Sequence, residues 1–67
     1  MTRRHPLTVW RKSQHLSMAA FARQVGVTRE AVRQWENGAS KPHFLKVRAI
    51  EKATGGSIRA THFYGAA

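Results

Sequence analysis

The sequence predicts an all-α fold, a compact bundle of four to five short helices. Apolar residues recur at helical spacing in four segments, and typical helix-capping residues stand where those segments begin and end. The chain has 67 residues and no cysteine, which excludes a disulfide framework and a cysteine-containing zinc site. A small domain without such cross-links is most simply a helical unit with good local propensity.

The chain opens with a basic arm, residues 1–6, which shows no periodicity. The first helix is predicted at about residues 7–14, because three residues at helical spacing form one inward stripe there. The residues of this stripe are Leu7, Trp10 and Gln14. His15 follows where the helix stops, and histidine is one of the few non-glycine residues enriched at positive φ.

Two short helices joined by a tight turn are predicted within residues 17–38. Ser17 suits the N-cap of the first helix, because its hydroxyl can accept a hydrogen bond from a free backbone N–H. Gly26 ends this helix and permits the positive φ of a tight turn. Thr28 caps the second helix, and Gly38 follows its end. The inward stripes of the two helices are Phe21, Ala22 and Val25, then Val32 and Trp35.

A fourth helix is predicted at about residues 43–54, and the two following glycines end it. Its inward stripe consists of Phe44, Val47, Ile50 and Ala53. Residues 57–60 are predicted to be extended with Ile58 inward, and residues 61–64 to form one last helical turn. Residues 7–67 are therefore expected to form a single domain. The sequence pattern predicts the structure of its C-terminal segment less clearly than that of the helices before it.

The charge of the chain indicates an anionic partner. Twelve lysines and arginines stand against three acidic residues, with a formal net charge of +9 and a pI near 11.8. Such a balance favours nucleic acid, the alternative being a merely soluble basic domain. The sequence has no wide apolar helix face for a membrane surface, no spanning run and no signal peptide. We therefore expect a cytoplasmic protein without a membrane partner.

The residues between positions 16 and 42 combine into one motif. They are Leu16-Ser17, Phe21-Ala22, Val25-Gly26-Val27-Thr28, Val32, Trp35-Glu36-Asn37-Gly38 and Lys41-Pro42. This combination resembles the helix-turn-helix of the phage repressor/Cro-like (Xre-type) DNA-binding family, and Leu7 and Arg11 extend the match into the first helix. The resemblance implies binding of double-stranded DNA. The chain departs from the family at Met18, where many members carry glutamine, so only the backbone N–H of Met18 can reach a phosphate.

The outer face of helix 28–37 carries the residues predicted to read DNA bases. A step of about 100° per residue turns this face away from the core when Val32 and Trp35 point inward. In helix-turn-helix docking, the N-terminal part of the second helix meets base edges in the major groove. Arginine pairs with guanine, glutamine with adenine, and glutamate accepts from cytosine. The predicted base contacts are Arg29, Glu30, Arg33 and Gln34.

Two of these residues have a second interpretation. Glu30 and Arg33 are three residues apart on a helix, so they can form an ion pair on a solvated face. The two interpretations are compatible, because a glutamate that orients an arginine also sharpens base choice. A carboxylate on a surface facing phosphates itself favours sequence selection, through cytosine or through repulsion of wrong sequences.

Phosphate contacts position a protein on DNA without reading the sequence. Ser17 suits one phosphate, because a helix N-terminus attracts anions. Arg3 and Arg4 of the arm follow the DNA backbone, enter a minor groove or stay solvated. The resemblance adds further phosphate contacts: Thr28, Asn37, Ser40, Lys41 and His43.

The resemblance also implies a structural salt bridge between Arg11 and Glu36, which would tie the first helix to the third. Two separately solvated side chains are the alternative. If the pair is buried, its net contribution to stability can be near zero.

The histidines and serines indicate no catalytic or metal chemistry. The four histidines are scattered, with no pair at i,i+4 and no acidic companion: His5, His15, His43 and His62. No serine or histidine has a base or orienting acid in a recognisable arrangement. We expect no metal, no cofactor, no small-molecule ligand and no enzymatic activity.

Three functions are compatible with these residues. The first is a sequence-specific regulator of transcription, a small Cro-type repressor that reads the major groove with helix 28–37 and blocks polymerase. The alternative is an antitoxin-like helix-turn-helix module that binds a partner protein as well as DNA. The third is a sequence-neutral nucleic-acid binder, against which Glu30 argues, because general binders seldom place a carboxylate on the contact face.

A homodimer is expected, because one helix reads only a few base pairs. Its operator would be pseudo-palindromic, with half-sites about 10–10.5 bp apart. The dimer surface is expected in the segment after Gly55, whose apolar residues have the alternative role of closing the core. These residues are Ile58, Phe63 and Tyr64.

Overall fold

The computed structural model describes residues 5–64 and confirms the predicted all-α bundle. Its helices are α1 (Pro6–Ser13), α2 (Met18–Val25), α3 (Arg29–Asn37), α4 (Phe44–Ala53) and α5 (Thr61–Tyr64). Over this described part of the chain, every helix is too short or too polar to cross a membrane. The short connections leave α2 packed against both α3 and α4.

Helix α1 begins at Pro6, whose missing N–H is not needed in the first turn. His5 precedes it with an extended backbone, and its Nδ1 accepts a hydrogen bond from the backbone N–H of Leu7 at 3.0 Å. The basic arm was predicted over residues 1–6, but its last two residues have other roles: His5 caps α1 and Pro6 begins it. Arg3 and Arg4, both predicted to contact phosphates, lie outside the described residues.

The prediction that Gln14 lies on the inward stripe of α1 is wrong. The helix ends at Ser13, so Gln14 is the C-cap and its side chain is exposed. The inward position one turn after Leu7 belongs to Arg11, which is buried. His15 follows with a φ of 57°, the left-handed conformation predicted for it.

Capping residues bound α2 and α3 as predicted. Ser17 Oγ accepts the backbone N–H three residues on at 3.0 Å, and Thr28 Oγ1 does the same at 3.1 Å. Gly26 follows α2 with a φ of 75°, and Gly38 follows α3 with a φ of 80°. These local contacts set the ends of both helices, so the short turn between them is fixed by residues next to it in sequence.

The core lies where the helices meet. Its buried side chains are Leu7, Phe21, Ala22, Val25, Val32, Trp35, Val47, Ile50, Ile58 and Phe63. The ring of Phe21 meets Trp10 of α1 edge to face, with centroids 5.8 Å apart. The ring of Phe63 meets Trp35 of α3 in the same way at 6.4 Å. Aromatic contacts therefore join α1 to α2 and α5 to α3.

The inward stripe of α4 is only partly as predicted. Val47 and Ile50 are buried, but Phe44 is 62% exposed, so its predicted place in the core is wrong. Pro42, two residues earlier, is the fully buried residue at this end of the helix. The ring of Phe44 lies instead beside the imidazole of His43, with centroids 4.7 Å apart.

Residues 57–60 form a bend and a turn, and the prediction that they are extended is wrong. The buried hydroxyl of Thr54 accepts a hydrogen bond from the backbone N–H of Ile58 at 3.1 Å, which folds the chain back on α4. Ile58 is buried, as predicted, and residues 61–64 form the predicted helical turn. Because Phe63 is also buried, these two apolar residues close the core and do not offer a surface for dimerisation.

His5 connects the start of α1 to α5. Its imidazole lies 5.0 Å from the ring of Phe63 and is half-buried. Burial lowers the pKa of His5 below 6.5, and nearby Glu36 opposes this shift. The charge of His62 lowers the pKa of His5 further, whereas a hydrogen bond with the His62 backbone raises it. A lowered pKa suits the neutral imidazole, which is the form that can accept the cap hydrogen bond at Nδ1.

We expect acid to destabilise the fold through His5. Because its folded pKa lies below the unfolded value of 6.5, the unfolded chain binds more protons between the two values. The stabilisation is therefore present above the unfolded value and lost as the pH falls towards the folded one. The measurement is the melting temperature between about pH 7.5 and about pH 5. His5→Asn is the control, since asparagine caps a helix without titrating, and an equal fall in both proteins would contradict the prediction.

Candidate nucleic-acid interface

Helix α3 separates an apolar side from a polar side. Val32 and Trp35 are buried beneath it, which fixes the angle of the helix to the rest of the bundle. The opposite side carries the four residues predicted to read bases: Arg29, Glu30, Arg33 and Gln34. The first three are exposed and Gln34 is half-exposed, so the structure brings them together on one outward surface, here called the α3 outer face.

The carboxylate of Glu30 is held by two neighbours on the α3 outer face. Arg33 donates from Nε to Oε1 at 2.9 Å and also from Nη2 to Oε2. Gln34 donates from Nε2 to Oε2 at 3.4 Å. The hydrogen bond from Arg33 lowers the pKa of Glu30 to about 2, and the same bond raises the pKa of Arg33. The ion pair allowed by the sequence is therefore formed, and both groups stay charged at neutral pH.

A buried ion pair joins α3 to α1. Glu36 accepts hydrogen bonds from Arg11 Nε at 2.8 Å and from Arg11 Nη2 at 3.0 Å. The two side chains are only 9% and 5% exposed. Arg11 Nη1 also donates to the carbonyl of Leu16 at 2.8 Å, and the Thr8 hydroxyl donates to Glu36 at 2.8 Å. The pair is thus fully hydrogen-bonded and orients α3 relative to α1.

Thr8 and the Leu16 carbonyl were missed by sequence reasoning. Thr8 lies three residues before Arg11 on α1, so helical spacing already places both side chains on one face. That spacing was the available signal for Thr8. The Leu16 carbonyl carried no such signal, because its position depends on the left-handed turn at His15.

The side chains predicted to contact phosphate are mostly engaged as hydrogen-bond acceptors within the protein. The hydroxyls of Ser17 and Thr28 accept helix N–H groups, and Asn37 Oδ1 accepts the N–H of Ala39 at 2.8 Å. His43 Nδ1 accepts the N–H of Leu45 at 3.3 Å. Each of these groups has a separate donor that the acceptor role does not use: a hydroxyl hydrogen, an amide NH₂ or the second ring nitrogen. Donors are what a phosphate requires.

The remaining two described residues that are predicted to contact phosphate, Ser40 and Lys41, lie in the loop between α3 and α4. Ser40 is half-exposed, and Lys41 is exposed, with its Nζ 5.3 Å from the centre of the Tyr64 ring. The hydroxyl of Tyr64 donates to the carbonyl of Pro42. Sequence reasoning missed this contact, which fixes the loop to α5 and so holds Lys41 near the end of α3.

Lys46 is another residue that sequence reasoning missed. Its Nζ reaches within 3.5 Å of the carbonyl of Gly26, at the turn between α2 and α3. A cation at the C-terminal end of a helix is favourable, because free carbonyls and the helix dipole point there. Lys46 therefore connects α4 to the turn.

Three of the four histidines, His5, His43 and His62, act as local acceptors. Nδ1 of His62 accepts the backbone N–H of Arg59 at 2.9 Å, as His5 and His43 do for their own neighbours. Within residues 5–64, no three histidine, aspartate or glutamate side chains come together in a group that could hold a metal ion. Backbone hydrogen bonds thus engage these three histidines, and His5 and His43 also make ring contacts.

Comparison with known families gives a match over more than half of the chain. A model of the helix-turn-helix family matches residues 9–60, from within α1 to the turn before α5. The chain belongs to the helix-turn-helix family, in its Xre/Cro-like group. Searches of curated proteins and of solved structures returned no match to the chain. Because it belongs to this family, the helix-turn-helix protein is a DNA-binding regulator that acts on double-stranded DNA.

Family membership gives the helices of this helix-turn-helix protein their roles. Helices α2 and α3 form the motif. In helix-turn-helix docking generally, the second, recognition helix presents its N-terminal residues to base edges in the major groove. The family is a DNA-binding regulatory one and is not typically enzymatic. The α3 outer face is accordingly the candidate interface with DNA bases.

Proposed function

We propose that the chain is a sequence-specific repressor of the Cro type, which occupies an operator and blocks polymerase. The observation that carries this proposal is the α3 outer face, with Arg29, Glu30, Arg33 and Gln34 exposed on a helix whose other side is fixed in the core. Arg29 and Arg33 suit guanine, and Gln34 suits adenine. A carboxylate among these residues supports sequence selection over general attraction to phosphate.

Phosphate contacts on both sides of α3 would hold the recognition helix in the groove. Ser17 and Thr28 lie at the starts of α2 and α3, where free backbone N–H groups add to their hydroxyls. Around the end of α3 the contacts would come from Asn37, Ser40, Lys41 and His43. Arg3 and Arg4 of the arm would add two more. Because the six groups within the described residues flank the α3 outer face in sequence and on neighbouring elements, they support one continuous interface.

We also propose that the repressor binds a pseudo-palindromic operator as a homodimer. The exposed apolar residues Phe44, Leu45 and Tyr64, here called the apolar patch, support this, being 62%, 60% and 53% exposed. Tyr64 joins the patch through its hydrogen bond to the Pro42 carbonyl, two residues before Phe44. A second copy bound there would supply the second recognition helix that an operator with two half-sites requires.

The apolar patch also supports the alternative, an antitoxin-like module that binds a different protein as well as DNA. Large exposed aromatic residues are typical of protein-binding surfaces of either kind. The stoichiometry on DNA distinguishes the two. Two protomers on each selected duplex favour the homodimer, and one protomer that binds DNA alone favours the alternative.

Replacing Arg33 and Lys41 separately tests the proposed function. Arg33→Ala is expected to weaken binding to the preferred operator by about one to two orders of magnitude and to relax preference at one base-pair position. Lys41→Ala is expected to weaken binding to all sequences alike and to reduce the salt slope by about one, because a phosphate contact carries no sequence information. The measurement is selection of duplexes from a random pool, followed by titrations at several salt concentrations.

Wild-type protein selected against the same pool is the reference for both variants. Melting temperatures close to that of the wild type are the control for folding, since both side chains are exposed. Uniform weakening by both substitutions would contradict the assigned roles. A wild-type selection without any preferred sequence would favour the sequence-neutral binder instead.

A further inference from the structure

The ion pair on the α3 outer face uses one edge of a guanidinium group. Glu30 takes the Nε hydrogen of Arg33 and one hydrogen of Nη2. An arginine has five N–H hydrogens, so the edge formed by Nη1 and the other Nη2 hydrogen keeps three of them. Guanine O6 and N7 need two parallel donors. Arg33 can therefore hold Glu30 and a guanine at the same time, on different edges.

The same pair removes a charge from the interface. Side chains of Arg33 and Glu30 are 46% and 55% exposed, so an unpaired Arg33 would be a free cation on a surface facing phosphates. Arginine also binds phosphate, through the same two-donor geometry with which it binds guanine. With Glu30 attached, the pair has no net charge, and its attraction to phosphate is correspondingly weaker. The pair persists at neutral pH, since the hydrogen bond from Arg33 lowers the pKa of Glu30 to about 2.

Glu30 also holds a second residue of the α3 outer face. Gln34 Nε2 lies 3.4 Å from the carboxylate oxygen that Arg33 Nη2 contacts. One carboxylate thus limits the rotamers of both long side chains on the next turn of the helix. Side chains ordered before binding lose less entropy when they meet the bases. A single exposed acid therefore orders the neighbouring readers.

We propose that Glu30 is a positioning residue for specificity: it orients Arg33 towards one guanine and keeps Arg33 off the phosphates. This inference rests on the proposed function, in which α3 reads the major groove. Glu30 then acts on base choice through Arg33, and the cytosine contact considered from the sequence is not its role. The cost of this arrangement is lower affinity for DNA in general, and the gain is a larger ratio of specific to non-specific binding.

Glu30→Gln tests this role, because glutamine keeps the shape of the side chain and removes its charge. We expect the variant to bind a scrambled duplex several-fold more tightly and with a salt slope steeper by about one. The ratio of operator to scrambled affinity should fall about tenfold. The measurements are titrations against the duplex selected by the wild type and against its scrambled sequence.

Glu51→Gln is the matched control, since it makes the same change in net charge in α4, outside α3. Only a small change in specificity ratio is expected from it. In an Arg33→Ala background, Glu30→Gln should leave preference at the base pair read by Arg33 unchanged, because the residue through which it acts at that position is missing. Equal weakening on both duplexes by Glu30→Gln would overturn the proposal.

Two further results would also overturn the proposal, and they separate it from the proposed function. Loss of preference at a cytosine different from the position read by Arg33 would mean that Glu30 reads a base itself. The proposed function would survive that result. If the wild type selects no sequence at all, then the proposal and the proposed function both fail.

Discussion

Glu36→Ala is expected to leave a large fraction of the protein unfolded at 25 °C. The substitution removes both carboxylate acceptors of Arg11, whose buried guanidinium keeps only the Leu16 carbonyl, and it removes the acceptor of the Thr8 hydroxyl. Breaking a buried pair from one side costs about 3–5 kcal/mol, because an uncompensated charge is left in the interior. At about 0.05–0.15 kcal/mol per residue, a 67-residue domain has a free energy of unfolding of only about 3–10 kcal/mol. Urea unfolding followed by tryptophan fluorescence measures the loss.

Replacing both members of the pair is the control. Arg11→Met combined with Glu36→Leu is expected to recover most of the lost stability, since an apolar pair of similar volume often substitutes for a buried ion pair without loss. Destabilisation by Glu36→Ala of less than about 1 kcal/mol would contradict the argument, because that is the range of an exposed pair. The double variant would also report, through its DNA affinity, how far the pair orients the recognition helix.

Local chemistry explains why the central motif could be predicted from the sequence. Ser17 and Thr28 cap helices through contacts with residues three positions away. Gly26 and Gly38 end those helices because their backbones adopt positive φ. None of these features depends on distant parts of the chain. The bounds of α2 and α3, and with them the direction of the α3 outer face, therefore follow from sequence alone.

The errors arose where the outcome depends on how far the core extends. Helical periodicity gives the face on which Phe44 lies, but the core ends at the buried Pro42 before it reaches that residue. Residues 57–60 were predicted to be extended because the pattern gives no signal for the buried Thr54 hydroxyl that folds them back. The ion pair of Glu30 and Arg33 was foreseen as one of two interpretations. Its consequence for the free edge of Arg33 needed the atomic geometry.

Phe63→Ala is expected to lower the free energy of unfolding by about 3–5 kcal/mol, the usual cost of deleting a buried phenyl ring. The ring is only 8% exposed and contacts Trp35 and His5, so its removal opens a cavity between α3, α5 and the start of α1. Because α5 has only four residues, it has little helical stability of its own and depends on this ring for docking. Urea unfolding at two protein concentrations provides the measurement.

The neighbouring residue supplies the control that separates packing from assembly. Tyr64 is exposed, and Tyr64→Ala removes a hydrogen bond to the Pro42 carbonyl, with an expected cost of about 0.5–1.5 kcal/mol. Loss of stability in Phe63→Ala should be the same at both concentrations, because folding within one chain does not depend on concentration. If Phe63 instead belonged to the dimer surface, its substitution would change self-association and leave the stability of the monomer intact. Phe63 also packs against Trp35 on the buried side of α3. Phe63→Ala should therefore weaken operator binding even under conditions where the chain remains folded.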